Sequence, residues 1–198
     1  MMSRTFISIF TVLLFVSSVS FAKDAPSVGD MAPDFELLNE AGQSVKLSDF
    51  SGKTVVLEWT NPDCPFVKRH YNEKTMETLA GKYSKQNVVW LAVNSTHYMD
   101  GSKNKQWRES QNLSFPVLND QDGKIGKLYG AKTTPHMFVI GSDGKIAYQG
   151  AIDDDKFGDK KVGERLNYVD SNLPLIKNGE KPKYASTTPY GCSVKYKK

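Results

Sequence analysis

The stretch Lys53 to Trp59 is apolar and β-branched, and it is fenced by Ser51-Gly52 on one side and Asn61-Pro62 on the other. That pattern makes it a buried strand. A helical pattern follows at once: Cys64 to Tyr83 is rich in helix formers, with Phe66, Tyr71, Leu79 and Tyr83 apolar among charges and Pro65 suited to the first turn. Val88 to Val93 is a second buried strand, and strand–helix–strand of this kind commits the chain to an α/β arrangement. Asp34 to Leu38 and Val45 to Phe50 read as short strands ahead of it. Behind it come a helix over Ser102 to Gln111, a strand over Phe115 to Leu118, a turn at Asn119 to Gly123 and a helix over Lys124 to Tyr129. His136 to Ile140 and Lys145 to Gln149 are strands joined by Gly141-Ser142-Asp143-Gly144, an antiparallel hairpin. Residues 164–178 read as a last helix, with Leu166, Val169, Leu173 and Leu175 toward the core and Pro174 set to kink or end it. Residues 182–198 read as an extended tail. The expected sheet is parallel in its first half and antiparallel at its end.

The amino terminus has a different logic. Met1 to Arg4 is weakly basic, Phe6 to Val16 is almost continuously apolar, and Ser20-Phe21-Ala22 offers small residues to a signal peptidase. Residues 1–22 are therefore expected to be a secretory signal cleaved after Ala22. The apolar run is about 11 residues, short of the ~20 that span a bilayer; an uncleaved anchor is the alternative. No cysteine follows the run, which argues against a lipid anchor. Residues 23–198 then form one domain, exported to the bacterial periplasm and free of the membrane after cleavage. The net charge of +4 falls to +3 without Arg4. Lysines and arginines are scattered, with no basic stripe, so nucleic acid is not an expected partner.

Two cysteines remain, Cys64 and Cys192. In an oxidising compartment a structural disulfide is an ordinary outcome, but they lie 128 residues apart and the sequence does not say whether they meet. Cys64 falls where the buried strand ends and a helix begins, a place whose unpaired amides and positive dipole end favour a thiolate. Asp63 opposes this and Lys68 and Arg69 compensate. The alternative is an inert thiol or half of a structural bridge. His70 and His97 read as structural residues, His136 as a packing residue or, alternatively, one that approaches the Cys64 thiolate, and three scattered histidines with two distant cysteines give no zinc spacing. Asp120-Gln121-Asp122-Gly123 begins like a calcium loop, but Lys124, Leu128 and Ala131 occupy ligand positions. It reads as a turn. Asp153-Asp154-Asp155 reads as a solvated loop able at most to hold a cation weakly. No cofactor and no metal are expected.

Several segments carry a family likeness. Gly29-Asp30-Met31-Ala32-Pro33-Asp34-Phe35, Leu47-Ser48-Asp49-Phe50-Ser51-Gly52-Lys53, Asp63-Cys64-Pro65-Phe66-Val67, Thr133-Thr134-Pro135 before His136 to Ile140, and Gly191-Cys192-Ser193 together resemble the thioredoxin-like superfamily. Within it they resemble the peroxiredoxin-like family of redoxins, alkyl hydroperoxide reductases and thiol-specific antioxidants. The likeness covers about residues 28–196. It implies a thioredoxin-like fold, a central mixed β-sheet flanked by helices, with antioxidant, thiol-dependent oxidoreductase activity and Cys64 as redox nucleophile. It implies that Pro135 is a cis-proline beside the cysteine, with Thr134 and Pro135 binding substrate. It implies that Glu58, six residues before Cys64, is the buried carboxylate of thioredoxins, the alternative being a strand-end carboxylate paired with a lysine; strand alternation puts Glu58 and Thr60 on one face. Cys192 would be a resolving thiol in a mobile tail, and such thiols often reach a partner subunit, so a homodimer is allowed for. The partners implied are a peroxide, or a protein thiol or disulfide, and an external thiol reductant.

The chain also departs from the pattern. Val67 stands where a dithiol motif has its second cysteine, Asn61 where peroxiredoxins place threonine or serine, and Thr134-Pro135-His136 where they carry an arginine. Two readings therefore stand beside the peroxiredoxin-like one: a thiol–disulfide exchange protein acting on exported partners, and a non-enzymatic binding module with Cys64 inert or bridged.

Overall fold

The computed structural model describes residues 24–197; the secretory-signal reading of residues 1–22 lies outside them. The hairpin of β1 (Glu36–Asn39) and β2 (Ser44–Lys46) precedes β3 (Thr54–Trp59), which leads into α1 (Pro65–Asn72) and α2 (Thr75–Tyr83). Next come β4 (Val88–Asn94), α3 (Gly101–Gln111), β5 (Val117–Asn119) and α4 (Lys124–Leu128), then β6 (Thr133–Thr134), β7 (His136–Ile140), β8 (Ile146–Gly150), α5 (Tyr168–Ile176) and β9 (Cys192–Ser193). Seven strands form one sheet in the order β2-β1-β5-β4-β3-β7-β8. The pairs β3–β4 and β4–β5 are parallel, whereas β7 runs antiparallel to both β3 and β8. This is the expected α/β sheet with its antiparallel end at the hairpin, but its first half is not parallel throughout: β1 runs antiparallel to both β2 and β5, so the parallel part is the central β3, β4 and β5.

Strand β3 organises the core because all six of its residues are buried, and their alternation feeds two layers. Val55, Leu57 and Trp59 join Phe35, Leu91, Tyr129 and Phe138 on one face. Val56 joins Cys64, Val67, Tyr71, Met76, Leu79, Val169 and Leu173 on the other, under α1, α2 and α5.

Four local expectations are corrected. The second strand stops at Lys46, whose amide donates to Asp49 at 2.9 Å and closes a short 3-10 turn over Leu47–Phe50. The helix expected over Cys64 to Tyr83 is two helices, because Lys74 takes a left-handed conformation with φ 56° and Arg165 clamps Glu73 beside the break. Pro174 does not end α5; the Asp170 carbonyl, which a proline nitrogen cannot serve, accepts from the Tyr83 hydroxyl at 3.3 Å. The Asp153-Asp154-Asp155 segment is not solvated as expected: Asp153 and Asp155 are buried. Arg165 Nε donates to Asp155 at 2.7 Å, and the Tyr190 hydroxyl donates to Asp153.

The carboxy-terminal tail is extended but tied down. Thr187 bonds the Ala151 amide through its hydroxyl at 2.9 Å, Val194 N donates to Lys132 O at 3.1 Å and His97 N to Lys195 O at 2.9 Å. Between these ties β9 pairs antiparallel with β6, setting Cys192 opposite Thr134.

Candidate active site

Cys64 occupies the N-cap of α1 with extended backbone (φ −74°, ψ 123°) and Pro65 at the first helical position. The turn ahead of it is fixed by Asn61, whose side chain accepts the Asp63 amide at 2.9 Å and whose carbonyl accepts the Cys64 amide at 3.0 Å. Cys64 is 1% exposed. Its thiol donates to the Thr134 carbonyl at 3.0 Å, and the Thr134–Pro135 peptide is cis. Sequence elements 70 residues apart thus meet at the sulfur.

The second cysteine is there too. Because Cys192 pairs with Thr134, the thiol of Cys192 is a hydrogen-bond neighbour of Cys64, and both cysteines are free thiols. The pair is unequal. Burial alone would push the Cys64 thiol up, but hydrogen bonds from the Cys192 and Thr134 side chains and from the Val67 and Cys192 amides together hold it below its ordinary value. Burial and the neighbouring Cys64 push Cys192 up to about 11. The first proton therefore leaves Cys64, and Cys192 remains a donor to the thiolate. Thr134 serves both states: its carbonyl accepts from the thiol, while its hydroxyl, buried and unpaired beside the thiol, is free to donate to the thiolate.

Glu58 and Thr60 lie on the Cys64 side of β3, as alternation requires, and both are wholly buried. Glu58 pairs with no lysine among the described residues. It accepts from the Tyr71 hydroxyl at 3.0 Å and from Trp90 Nε1 at 3.1 Å. Burial pushes its carboxyl from the ordinary 4.5 up to about 7, against those donors. The Thr60 hydroxyl is buried without a hydrogen-bond partner among the described residues. His136 lies with Phe138 on the opposite face of the sheet, their rings 4.5 Å apart. Burial holds its pKa near 4, so it is a neutral packing residue. Arg69 does not serve the sulfur: its guanidinium is engaged by the Asp155 carbonyl at 2.6 Å and the Tyr190 hydroxyl at 3.1 Å.

Sequence reading missed three groups. Tyr71 and Trp90, the partners of Glu58, look like ordinary core aromatics in one dimension. Tyr190 is a hub: its hydroxyl donates to Asp153, accepts from Arg69 and lies 2.9 Å from His70 Nε2. Tyr98, 37% exposed, lies against Asn61, Asp63 and Cys192 at the site's edge. The one signal for Cys192 was the glycine before it. Gly191 has φ +132°, and a Cβ there would sit 2.1 Å from the Thr134 carbonyl oxygen, so only glycine lets the tail lie this close. Among the described residues no group of three histidine, cysteine or acidic side chains forms a metal site, and no helix is long and apolar enough to cross a membrane.

Comparison with known proteins agrees with this architecture. Residues 28–149 match the AhpC/TSA family. The chain is 31% identical over 119 residues to the thiol-disulfide oxidoreductase ResA of Bacillus thuringiensis subsp. konkukian, a match covering 60% of this chain and 66% of that one. The crystal structure of an uncharacterized conserved protein from Geobacillus kaustophilus superposes with a TM-score of 0.77 at 30% identity, over 86% of this chain and 92% of that one. That of a candidate thiol:disulfide interchange protein DsbE from Chlorobium tepidum does so with a TM-score of 0.56 at 30% identity, over 62% and 84%. The fold is thioredoxin-like.

Proposed function

The chain belongs to the AhpC/TSA family, and from that premise we propose that it is an exported thiol–disulfide oxidoreductase in which Cys64 attacks and Cys192 resolves. The observation that carries this is the seating of Cys192 against Cys64 with their acidities driven apart. The Cys64 thiolate attacks one sulfur of a substrate disulfide, forming a mixed disulfide and releasing the other sulfur as a thiolate that takes up a proton. Cys192 then loses its proton and attacks Cys64, closing a Cys64–Cys192 disulfide and releasing the second substrate thiol. The substrate gains two electrons, which the protein dithiol supplies, and an external thiol reductant restores it. Glu58, with its carboxyl near 7, takes and returns the proton behind this exchange, and Thr134 and Pro135 present the substrate edge. Resolution runs within one chain, so a homodimer is not needed to bring the thiols together.

The similarity to a thiol-disulfide oxidoreductase and to a candidate thiol:disulfide interchange protein supports disulfides as the substrates. Antioxidant activity is the second reading, supported by the family. Peroxide would oxidise Cys64 to a sulfenic acid, and Cys192 would condense with it to the same disulfide and water. The contacts of Cys64 favour exchange, because among the described residues they are a carbonyl, a hydroxyl, amides and a thiol, and none of these is a cation that would polarise a peroxide.

The test treats the reduced protein with hydroxyethyl disulfide or with stoichiometric hydrogen peroxide and maps the cysteines by mass spectrometry. Hydroxyethyl disulfide should yield the Cys64–Cys192 disulfide, Cys192→Ser should stop at a mixed disulfide on Cys64, and Cys64→Ser should not react. A Cys64 that ignores the disulfide but reacts rapidly with peroxide would transfer the assignment to the antioxidant reading. One that ignores both would end both.

A further inference from the structure

β6 and β9 stand apart from the main sheet as a two-stranded unit, and among the described residues β9 is the only strand hydrogen-bonded to β6. The tail therefore adds itself, as a strand, to the one backbone edge that touches the Cys64 sulfur. Its register puts a cysteine opposite Thr134, and the carbonyl of that residue takes the Cys64 thiol. A strand edge recognises backbone, whatever the chain that brings it. We infer that residues 190–196 are an internal stand-in for a polypeptide substrate, so that an extended, cysteine-bearing segment of a partner docks on Thr133–Thr134 by displacing β9.

The tail is built to be held at its ends and released in its middle. Upstream, Tyr190 is buried, with its hydroxyl shared by Asp153, Arg69 and His70. Downstream, the Tyr196 hydroxyl donates to the Ala131 carbonyl at 2.9 Å and Val194 N to Lys132 O at 3.1 Å. Between the tyrosines, Cys192 is half-buried and Ser193 exposed, and Gly191 offers no side chain to pack. Thr187, tied to β8 through Gln149 O at 3.1 Å, is where opening would stop. Cys64 is buried beneath Cys192, so a small disulfide needs only the Cys192 side chain to swing off the sulfur, whereas a polypeptide needs the whole edge. The two tyrosines thus act as specificity determinants: they set how readily the edge is vacated and how strongly polypeptides are held off in favour of small disulfides.

This inference rests on the disulfide-exchange reading, and the experiment separates the two. In a Cys192→Ser background, which removes the resolving step, formation of the Cys64 mixed disulfide is timed with hydroxyethyl disulfide and with a disulfide-linked dimer of an extended peptide. Adding Tyr196→Phe should speed the peptide reaction about tenfold, the effect expected of losing one hydrogen bond; Tyr190→Phe, which removes three contacts, should speed it at least as much; and both should leave the hydroxyethyl disulfide rate within about threefold. Hydrogen exchange on the adducts supplies a readout that does not depend on the tyrosine variants. The Val194 amide should lose its protection in the peptide adduct and keep it in the hydroxyethyl adduct. Retained protection in the peptide adduct, or equal acceleration of both reactions, overturns the stand-in. Failure of both disulfides to reach Cys64 instead overturns the exchange reading on which it rests.

Discussion

Each cysteine rests on a buried carboxylate reached through a tyrosine, and the two supports differ in what surrounds them. Behind Cys64, Glu58 is held by Tyr71 and Trp90, both neutral, deep under β3. Upstream of Cys192, Asp153 is held by Tyr190 with Arg69 and Arg165 nearby. Burial raises both carboxyls, but only Asp153 has cations to counter it. The contrast assigns different work to similar parts. A carboxyl among neutral donors can exchange a proton near neutrality, whereas one beside arginines fastens a strand. The adjacent residues His70 and Tyr71 on α1 send one side chain into each network, so a single helix turn supports both thiols.

The sharpest test removes each carboxylate. Glu58→Ala leaves the Tyr71 hydroxyl and the Trp90 indole N–H unpaired in the core and opens a cavity, which should cost about 4 kcal/mol of stability. Asp153→Ala should cost about half as much, and much of the loss should appear as a loosened tail. Denaturant unfolding measures the first quantity and hydrogen exchange at residues 190–194 the second. Equal global losses with equal effects on the tail would erase the distinction.

The networks should also oppose each other as pH changes. Glu58 binds its proton more tightly folded, at about 7, than at the ordinary 4.5. Its contribution is therefore fully present below pH 4.5 and lost, by about 3 kcal/mol, as pH rises to 7. His70 is the reverse: burial, then Arg69, lowers it from 6.5 to about 4, so stability is present above pH 6.5 and lost as pH falls to 4. His136, lowered from 6.5 to about 4, adds to that arm. Glu58→Gln should thus unmask a fall in stability from pH 6.5 to 4 that the native chain partly offsets, while His70→Gln should leave stability flatter over the same window. Denaturation midpoints across that range decide the matter. Parallel curves for all three proteins would show that neither group titrates as its surroundings require.

Gly191 probes the fastening side alone. Its Cβ would press on the Thr134 carbonyl oxygen at 2.1 Å, so Gly191→Ala must lift the tail from β6 at a cost of about 2 kcal/mol. The Cys64–Cys192 disulfide, titrated against glutathione buffers, should become roughly thirtyfold easier to reduce, by that same free energy. The melting temperature should fall by only a few degrees, as about 2 kcal/mol implies for a domain of this size, because the main sheet does not include β9. A large drop in melting temperature would mean that the tail is as integral as β3.

That division also marks what could be read from the chain. Local pattern carried the strand-to-helix placement of Cys64, the hairpin around Gly141 to Gly144 and the common face of Glu58 and Thr60, because each depends on neighbours within a few residues. It could not carry Cys192, whose meeting with Cys64 depends on Tyr190 finding Asp153 and His70 and on Tyr196 finding Ala131. The Asp153–Asp155 segment failed for the same reason. Three adjacent carboxylates look solvated until Arg165 and Tyr190 arrive from farther along the chain. The helix break at Lys74 has no glycine or proline to announce it, only the clamp of Glu73 by Arg165.

The smallest effect isolates the sulfur. Thr134→Val keeps the backbone carbonyl that accepts the Cys64 thiol and removes a hydroxyl that is buried and unpaired while the thiol is protonated. The protonated state therefore loses no hydrogen bond, and folding stability at low pH should hold or rise slightly. The thiolate loses a donor, and a hydrogen bond to a charged group is worth enough to raise the Cys64 pKa by about one. Ultraviolet thiolate absorbance against pH measures this directly, with Cys192→Ser as background so that only Cys64 titrates. An unchanged titration would mean that the backbone amides of Val67 and of position 192 hold the thiolate without Thr134, and that Thr134 contributes only its carbonyl and its place on the edge.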